Sequence, residues 1–264
     1  MVRRVLGVDL ASSSWAAVGS ATISFDAERG EFVDVVAGAI RWPEAPLTAH
    51  ALADAIDSFA RHENICAVAM DGPQGWRDPA TPKSTPGVGR RCEYECRTQG
   101  KTGAYPRTYP GTQHAWIQFC IDVFAHLLAR PGVRLADPDA PNSDDSGYLL
   151  LECFPTSAWR SSGLVPLPAK SKNPDLAPYW RSLRRAYALP RCPIASHDDL
   201  QAVVAALSAA AAAGGPAIAL PRGLPARAAR NPDGSCLLLE GYIWDVEPRG
   251  IKAMRRALPR VESS

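Results

Sequence analysis

What this chain lacks narrows it first. No stretch approaches the roughly 20 uninterrupted apolar residues that a membrane span requires. The longest, Ala202 to Ala213, is interrupted by Ser208 and reads as a buried helix. The apolar run Val5 to Val8 ends at Asp9, too short for the core of an export signal, so a cytoplasmic protein with no membrane partner is expected. Net charge is small, +2 from 29 basic and 27 acidic residues, and no global field marks a nucleic-acid partner. Histidines number only five and no Gly-x-Ser-x-Gly occurs, which leaves serine or cysteine hydrolysis with little support. The seven cysteines are odd in number and scattered, against a disulfide framework. Cys92 and Cys96 are the only close pair; nothing nearby completes a zinc set, and their spacing suits one face of a helix equally well. No internal repeat or low-complexity linker divides the 264 residues, so one domain spanning 1–264 is expected.

What is present begins as an antiparallel meander. Residues 3–9, 15–25 and 31–42 read as strands, joined by the turn chemistry of Ala11-Ser12-Ser13-Ser14 and Ala27-Glu28-Arg29-Gly30. Thr48 is the expected N-cap of a helix reaching about His62, with Leu52, Ala55, Ile56 and Phe59 on one face. Ile65 to Met70 follows as a short apolar strand ending at Asp71. That strand–helix–strand step suits a right-handed crossover into a parallel pair. Residues 72–112, rich in Gly, Pro and charge with a short helix around Arg90 to Arg97, are too long for an ordinary connection and predict a functional insertion. Helices are expected at Gln113–Ala129, Pro174–Ala188 and Ser196–Ala213, a strand at Tyr148–Phe154, and a surface loop at 137–146. From about 216 a Pro-rich C-terminal extension offers short strands at Ala217–Leu220 and Leu237–Leu239. The order predicts an α/β fold: a mixed sheet, three antiparallel strands plus parallel ones, flanked by helices.

Acidic residues share a positional logic. Asp9 and Asp71 end strands, Glu152 lies near the end of a later strand, and Asp198 and Asp199 open the Ala-rich helix. Parallel strand ends and helix N-termini meet at one sheet edge, where ligands bind. Clustered carboxylates suit hard divalent ions such as Mg²⁺ or Mn²⁺, which activate water and stabilise a leaving oxygen in phosphodiester hydrolysis. Each acid also has a plainer reading. Asp9 and Asp71 can initiate turns, and Ser196 or Asp198 can simply cap its helix. Glu152 is harder to dismiss, because a carboxylate in an apolar strand costs several kcal/mol unless paired or metal-bound.

These residues resemble a known family, the predicted nucleases of RNase H-like fold called domain of unknown function family 429. Gly7-Val8-Asp9 looks like its opening strand, and Ala69-Met70-Asp71-Gly72-Pro73-Gln74-Gly75-Trp76 is similar to its strand ending in Asp-x-Pro-x-Gly. Arg90-Arg91-Cys92-Glu93-Tyr94-Glu95-Cys96-Arg97 resembles its Arg-x-Cys-Asp stretch, with Glu93 where Asp is usual. Leu151-Glu152-Cys153-Phe154-Pro155 resembles its Glu-x-x-Pro strand end, and His197-Asp198-Asp199-Leu200-Gln201-Ala202 its Asp-Asp-x-x-Asp-Ala helix start. The likeness covers about residues 3–215 in order. Two departures stand out: His197 replaces the first Asp of the helix motif and Gln201 the last. A neutral amide is a poorer Mg²⁺ partner, so Asp198, with Asp199, is left to supply the helix-side carboxylates.

The resemblance implies a metal-dependent nuclease. Asp9, Asp71, Glu152 and Asp198 are its expected catalytic residues and, with Asp199, its Mg²⁺ or Mn²⁺ ligands. Arg90, Arg91, Arg97 and Lys101 in the insertion are the candidates to grip a nucleic-acid backbone; Arg181, Arg184 and Arg185 offer a second surface, though such runs are commonly solvated faces. A competing reading is a binding or regulatory protein that kept the fold and lost strong catalysis, which Gln201 and the modest net charge favour. A sugar- or acid-kinase of the actin-like group needs a longer chain and two Gly-rich phosphate loops, neither of which is found. His197, beside two aspartates, is the one histidine in reach of this chemistry, with a surface position at the helix start as its plainer reading.

Overall fold

The structure is a computed structural model that describes residues 1–81, 87–140, 147–230 and 236–249. The meander forms as β1 (Val2–Asp9), β2 (Gly19–Asp26) and β3 (Glu31–Ala37). Residues Trp15–Ala17, expected inside the second strand, make a short 3₁₀ turn instead. Helix α1 (Ala49–His62) starts where Thr48 Oγ1 accepts the Ala51 amide at 3.1 Å, and leads to β4 (Ile65–Asp71). The insertion holds α2 (Arg91–Glu95) and a two-strand ribbon of β5 (Lys101–Thr102) and β6 (Thr108–Tyr109). Then come α3 (His114–Leu128), β7 (Arg134–Leu135), β8 (Leu149–Cys153), α4 (Pro155–Ser161), α5 (Ala177–Tyr187) and α6 (His197–Ala212).

The C-terminal extension departs most from expectation. Its strands are not four and three residues long; β9 (Ala217–Arg230) and β10 (Cys236–Pro248) form a long antiparallel hairpin. Prolines 221 and 225 lie in β9, whose outer side has no strand partner, the position that tolerates a missing N–H. Sheet order is β3-β2-β1-β4-β8-β10-β9, with β7 beside β8. The first three strands are antiparallel; β1, β4 and β8 run parallel, and β10 joins β8 in parallel at Ile243. This is the mixed α/β arrangement, three antiparallel strands plus parallel ones flanked by helices, that the motif order predicts.

Strand pleat sorts the core into two layers. Val5, Ala67, Ala69 and Leu151 face α6, while Leu6, Val8, Val68, Met70 and Leu150 face α1 and α3. Burial on both sides explains why β1 and β4 read as continuous apolar runs. Helix α6 lies unusually close to the sheet. A Cβ at Gly7 would fall 2.0 Å from the Ala202 carbonyl oxygen, and one at Gly19 would fall 2.2 Å from that of Asp198. Small residues on both sides permit this approach, and it brings the N-terminus of α6 against the ends of β1 and β2. The insertion is tied down from the other side. A bulge in β10 gives Glu240 a positive φ of 58°, and its carboxylate accepts from the amides of Asp78 and Arg91 and from Thr81 Oγ1. No helix among the described residues is long and apolar enough to cross a membrane.

Candidate metal centre and cleft

Parallel pairing sets the first two acids side by side, Asp9 opposite Asp71 at the ends of β1 and β4. Both follow the pleat toward the α6 layer, and α6 delivers the third. Ligand atoms of Asp9, His197 and Asp198 lie within 4.8 Å of one another. Burial, then the charges of Asp71 and Asp198, push the Asp9 carboxyl well above the usual carboxylate range. Burial pushes Asp71 up to about 7, against a hydrogen bond with Asp9 that lowers it and a Glu152 charge that raises it. Three carboxylates so placed cannot all ionise without a cation. The Lys170 ammonium, on Asp198, supplies part of that charge.

His197 is more than a helix-start surface residue. Its Nε2 lies 2.9 Å from the Pro168 carbonyl oxygen, which can only accept, so Nε2 carries the proton. Nδ1 is buried, has no hydrogen-bond partner among the described residues, and lies 3.5 Å from Asp198 Oδ1. In the neutral imidazole that nitrogen would face the carboxylate lone pair to lone pair, a contact that a shared cation turns favourable. A carbonyl fixing the opposite ring nitrogen is the usual support of a metal-binding histidine. The donor set therefore fits a divalent ion.

The remaining expected residues take other positions. Asp199 points away from the cluster: its oxygens accept from the Ser20 amide and Ser196 Oγ, and Ser196 caps the helix by accepting the Asp199 amide at 3.0 Å. Glu152 pairs with Met70, one residue before the Asp71–Cys153 pair, so the pleat turns it to the opposite face from Asp9 and Asp71. There Arg90 grips it with both terminal nitrogens, at 2.7 and 2.8 Å, and the Gln74 amide donates at 3.0 Å. Burial raises the Glu152 carboxyl, while Arg90 and the Gln74 amide pull it back. The apolar-strand carboxylate is thus paired to a buried guanidinium.

Arg90, expected to grip substrate, is fully buried; its Nε also donates to Glu93 at 3.1 Å and to Thr102 Oγ1 at 2.8 Å. Glu93 completes the network by accepting the Arg90 and Thr102 amides. Arg91 pairs with Glu95 one turn on. Lys101, half-buried, donates to Thr98 Oγ1 and to the Thr98 carbonyl. Of the four basic candidates, Arg97 alone is exposed with no side-chain partner among the described residues. Cys92 and Cys96 are buried on one side of α2, in no group of potential metal ligands among the described residues.

An open cleft of about 510 Å³ beside this sheet edge is lined by Asp71, Glu152, His197, Gln201, Arg97 and Arg160 among others, while Asp9 and Asp198 lie behind its lining. Gln201 Oε1 accepts the Trp159 indole N–H at 3.0 Å. Arg181 and Arg185, exposed on α5, do not line it. Sequence reasoning missed Lys170 and Arg160, which no motif marks, and undervalued His197, whose place in the helix motif was the available signal.

No curated protein matches the chain. Among solved structures, a RuvC structure from Thermus thermophilus aligns over 81% of this chain and 97% of its own, at 14% identity and a TM-score of 0.35. Residues 7–226 match a family described as "Protein of unknown function (DUF429)". Matched over most of its length and carrying the motifs at the sheet edge, the chain belongs to the DUF429 family.

Proposed function

We propose that this protein is a divalent-metal-dependent phosphodiesterase acting on nucleic acid. The observation that carries the reading is the convergence of ligand atoms of Asp9, His197 and Asp198 within 4.8 Å, beside Asp71, with His197 Nδ1 lacking a hydrogen-bond partner among the described residues. Asp9, Asp198 and His197 would hold the ion, with Asp71 next to it. Bound there, Mg²⁺ or Mn²⁺ supplies Lewis acidity toward a phosphate. Arg97 and Arg160 in the cleft lining orient the phosphodiester by charge-assisted hydrogen bonds. Asp71, opposite Asp9 at the strand ends, takes the proton of the attacking water. The water oxygen bonds to phosphorus, the P–O bond to the leaving group breaks, and the departing oxygen is protonated from solvent. Arg90 and Glu152 act beneath this, fixing the insertion to the sheet so that Arg97 stands over the cleft.

The test is cleavage of single-stranded, duplex and branched oligonucleotides with Mg²⁺ or Mn²⁺. Turnover that falls about 10²–10⁴-fold in Asp71→Asn supports the reading; an inert wild-type protein on all substrates overturns it. A second reading, a nucleic-acid-binding protein without turnover, is favoured by Gln201, which places a neutral amide on the cleft wall. It predicts binding without cleavage in the same assay.

A further inference from the structure

A second cavity, of about 430 Å³, opens between the hairpin of β9 and β10 and helices α2 and α4. Its wall contains Asp245, a carboxylate 2% exposed. One oxygen, Oδ2, is well served: Ser157 and Ser161 hydroxyls donate at 2.9 and 2.8 Å, and Arg222 Nε lies at 3.6 Å. The other, Oδ1, is buried and has no hydrogen-bond partner among the described residues. A buried acceptor left unpaired is unfavourable, and a donor on a ligand entering the cavity would relieve it.

Charge in the cavity is mixed rather than single-signed. Glu95, Glu247 and Asp245 face Arg97, Arg160 and Arg222. A bare anion would meet the acids and a bare metal ion the guanidiniums, so the lining suits a ligand with separate donor and anionic ends. Position narrows it further. Arg97 and Arg160 line both this cavity and the catalytic cleft. Arg160 is fixed between them, donating to the carbonyls of Thr156 and Cys96 at 3.1 and 2.9 Å. A phosphate on exposed Arg97 therefore sits at the boundary of the two spaces.

We propose that this cavity seats the base of a nucleotide next to the cleaved phosphodiester, with Asp245 Oδ1 accepting a base N–H and Arg97 holding the phosphate. The proposal rests on the nuclease reading for its substrate, but the cavity is separate from the carboxylate cluster. Arg222, beside Asp245, adds a donor, so the site reads a base edge that offers a donor next to an acceptor. Guanidinium planes can also stack on the base face. A strand entering here must be unpaired, because a base inside a duplex cannot turn its edge into a side cavity.

The experiment measures binding of the four ribonucleoside 5′-monophosphates and of inorganic phosphate to the full chain without metal, by calorimetry. Variants are Asp245→Asn and Leu220→Trp; the second fills the cavity from a half-buried lining position. At least one nucleotide is expected to bind tenfold or more tightly than phosphate, with that advantage lost in both variants. Equal affinity for nucleotide and phosphate, or nucleotide binding unchanged in Leu220→Trp, overturns the proposal. Cleavage by the wild type with unchanged binding in Leu220→Trp would remove the base site and leave the nuclease reading intact. Loss of nucleotide binding in Leu220→Trp with no cleavage by the wild type would do the reverse.

Discussion

Arg90→Met isolates the claim that the insertion is held by a buried ion network rather than offering Arg90 to substrate. The substitution removes two bonds to Glu152, at 2.7 and 2.8 Å, and one to Glu93 at 3.1 Å. Both carboxylates are 3% exposed and would be left without their cation. Breaking a buried pair from one side costs about 3–5 kcal/mol, a large part of the roughly 5–15 kcal/mol that holds a domain folded. With a urea slope near 3 kcal/mol/M, the midpoint should fall by about 1–1.7 M. The sign with pH is also fixed. Without Arg90, the folded-state affinity of Glu152 for a proton rises further, so the native chain binds more protons than the unfolded one above the unfolded pKa. Stability then falls as pH rises, and the variant's deficit should be smaller at pH 5 than at pH 8. The double variant Arg90→Met/Glu152→Gln should recover part of the loss, because the stranded charge is gone. A loss below about 1 kcal/mol in urea unfolding of Arg90→Met, with no pH dependence, would refute the network and return Arg90 to the list of free phosphate ligands.

Two further outcomes follow from the same geometry. Gly7→Ala places a methyl group 2.0 Å from the Ala202 carbonyl and 2.3 Å from the Ala206 amide, so α6 must move off the sheet; a loss of about 1–3 kcal/mol or more is expected in urea unfolding, together with weaker Mn²⁺ binding. In the metal-free protein Asp71 keeps its proton up to about pH 7, against a reference of 3.8. Its contribution to stability is therefore full below about pH 4 and lost as pH rises to 7. Saturating Mn²⁺ should reverse that trend, which urea unfolding at pH 5 and 7.5 with and without metal would reveal.

The meander, the first crossover and helices α1, α3, α5 and α6 were legible because their periodicities are plain: Thr48 caps α1, and Ser196 caps α6, as their sequences suggest, whereas the short α4 was not foreseen. The long hairpin was hidden because Pro221, Gly223 and Pro225 break the strand pattern of β9, while Glu240 and Gly241 bulge β10. At the site, strand ends announced Asp9 and Asp71. Glu152 was found for the right reason, an acid in an apolar strand, yet which remedy the fold adopts depends on register. A shift of one residue between β4 and β8 decides which face it meets, and sequence does not reveal that shift. The tautomer of His197 is set by the Pro168 carbonyl, 29 residues away in the chain. Arg90 looked like a surface cation because nothing local shows that Glu152, 62 residues on, reaches it.

Asp9, His197 and Asp198 are proposed to build one divalent-ion site. Its most direct test is calorimetric titration of Mn²⁺ into the wild type, Asp9→Asn and His197→Ala at pH 7.5. The account predicts one saturable site in the wild type, with affinity lowered about tenfold or more in each variant. Equal binding to all three proteins, or none to the wild type in the presence of a single-stranded oligonucleotide, would contradict it.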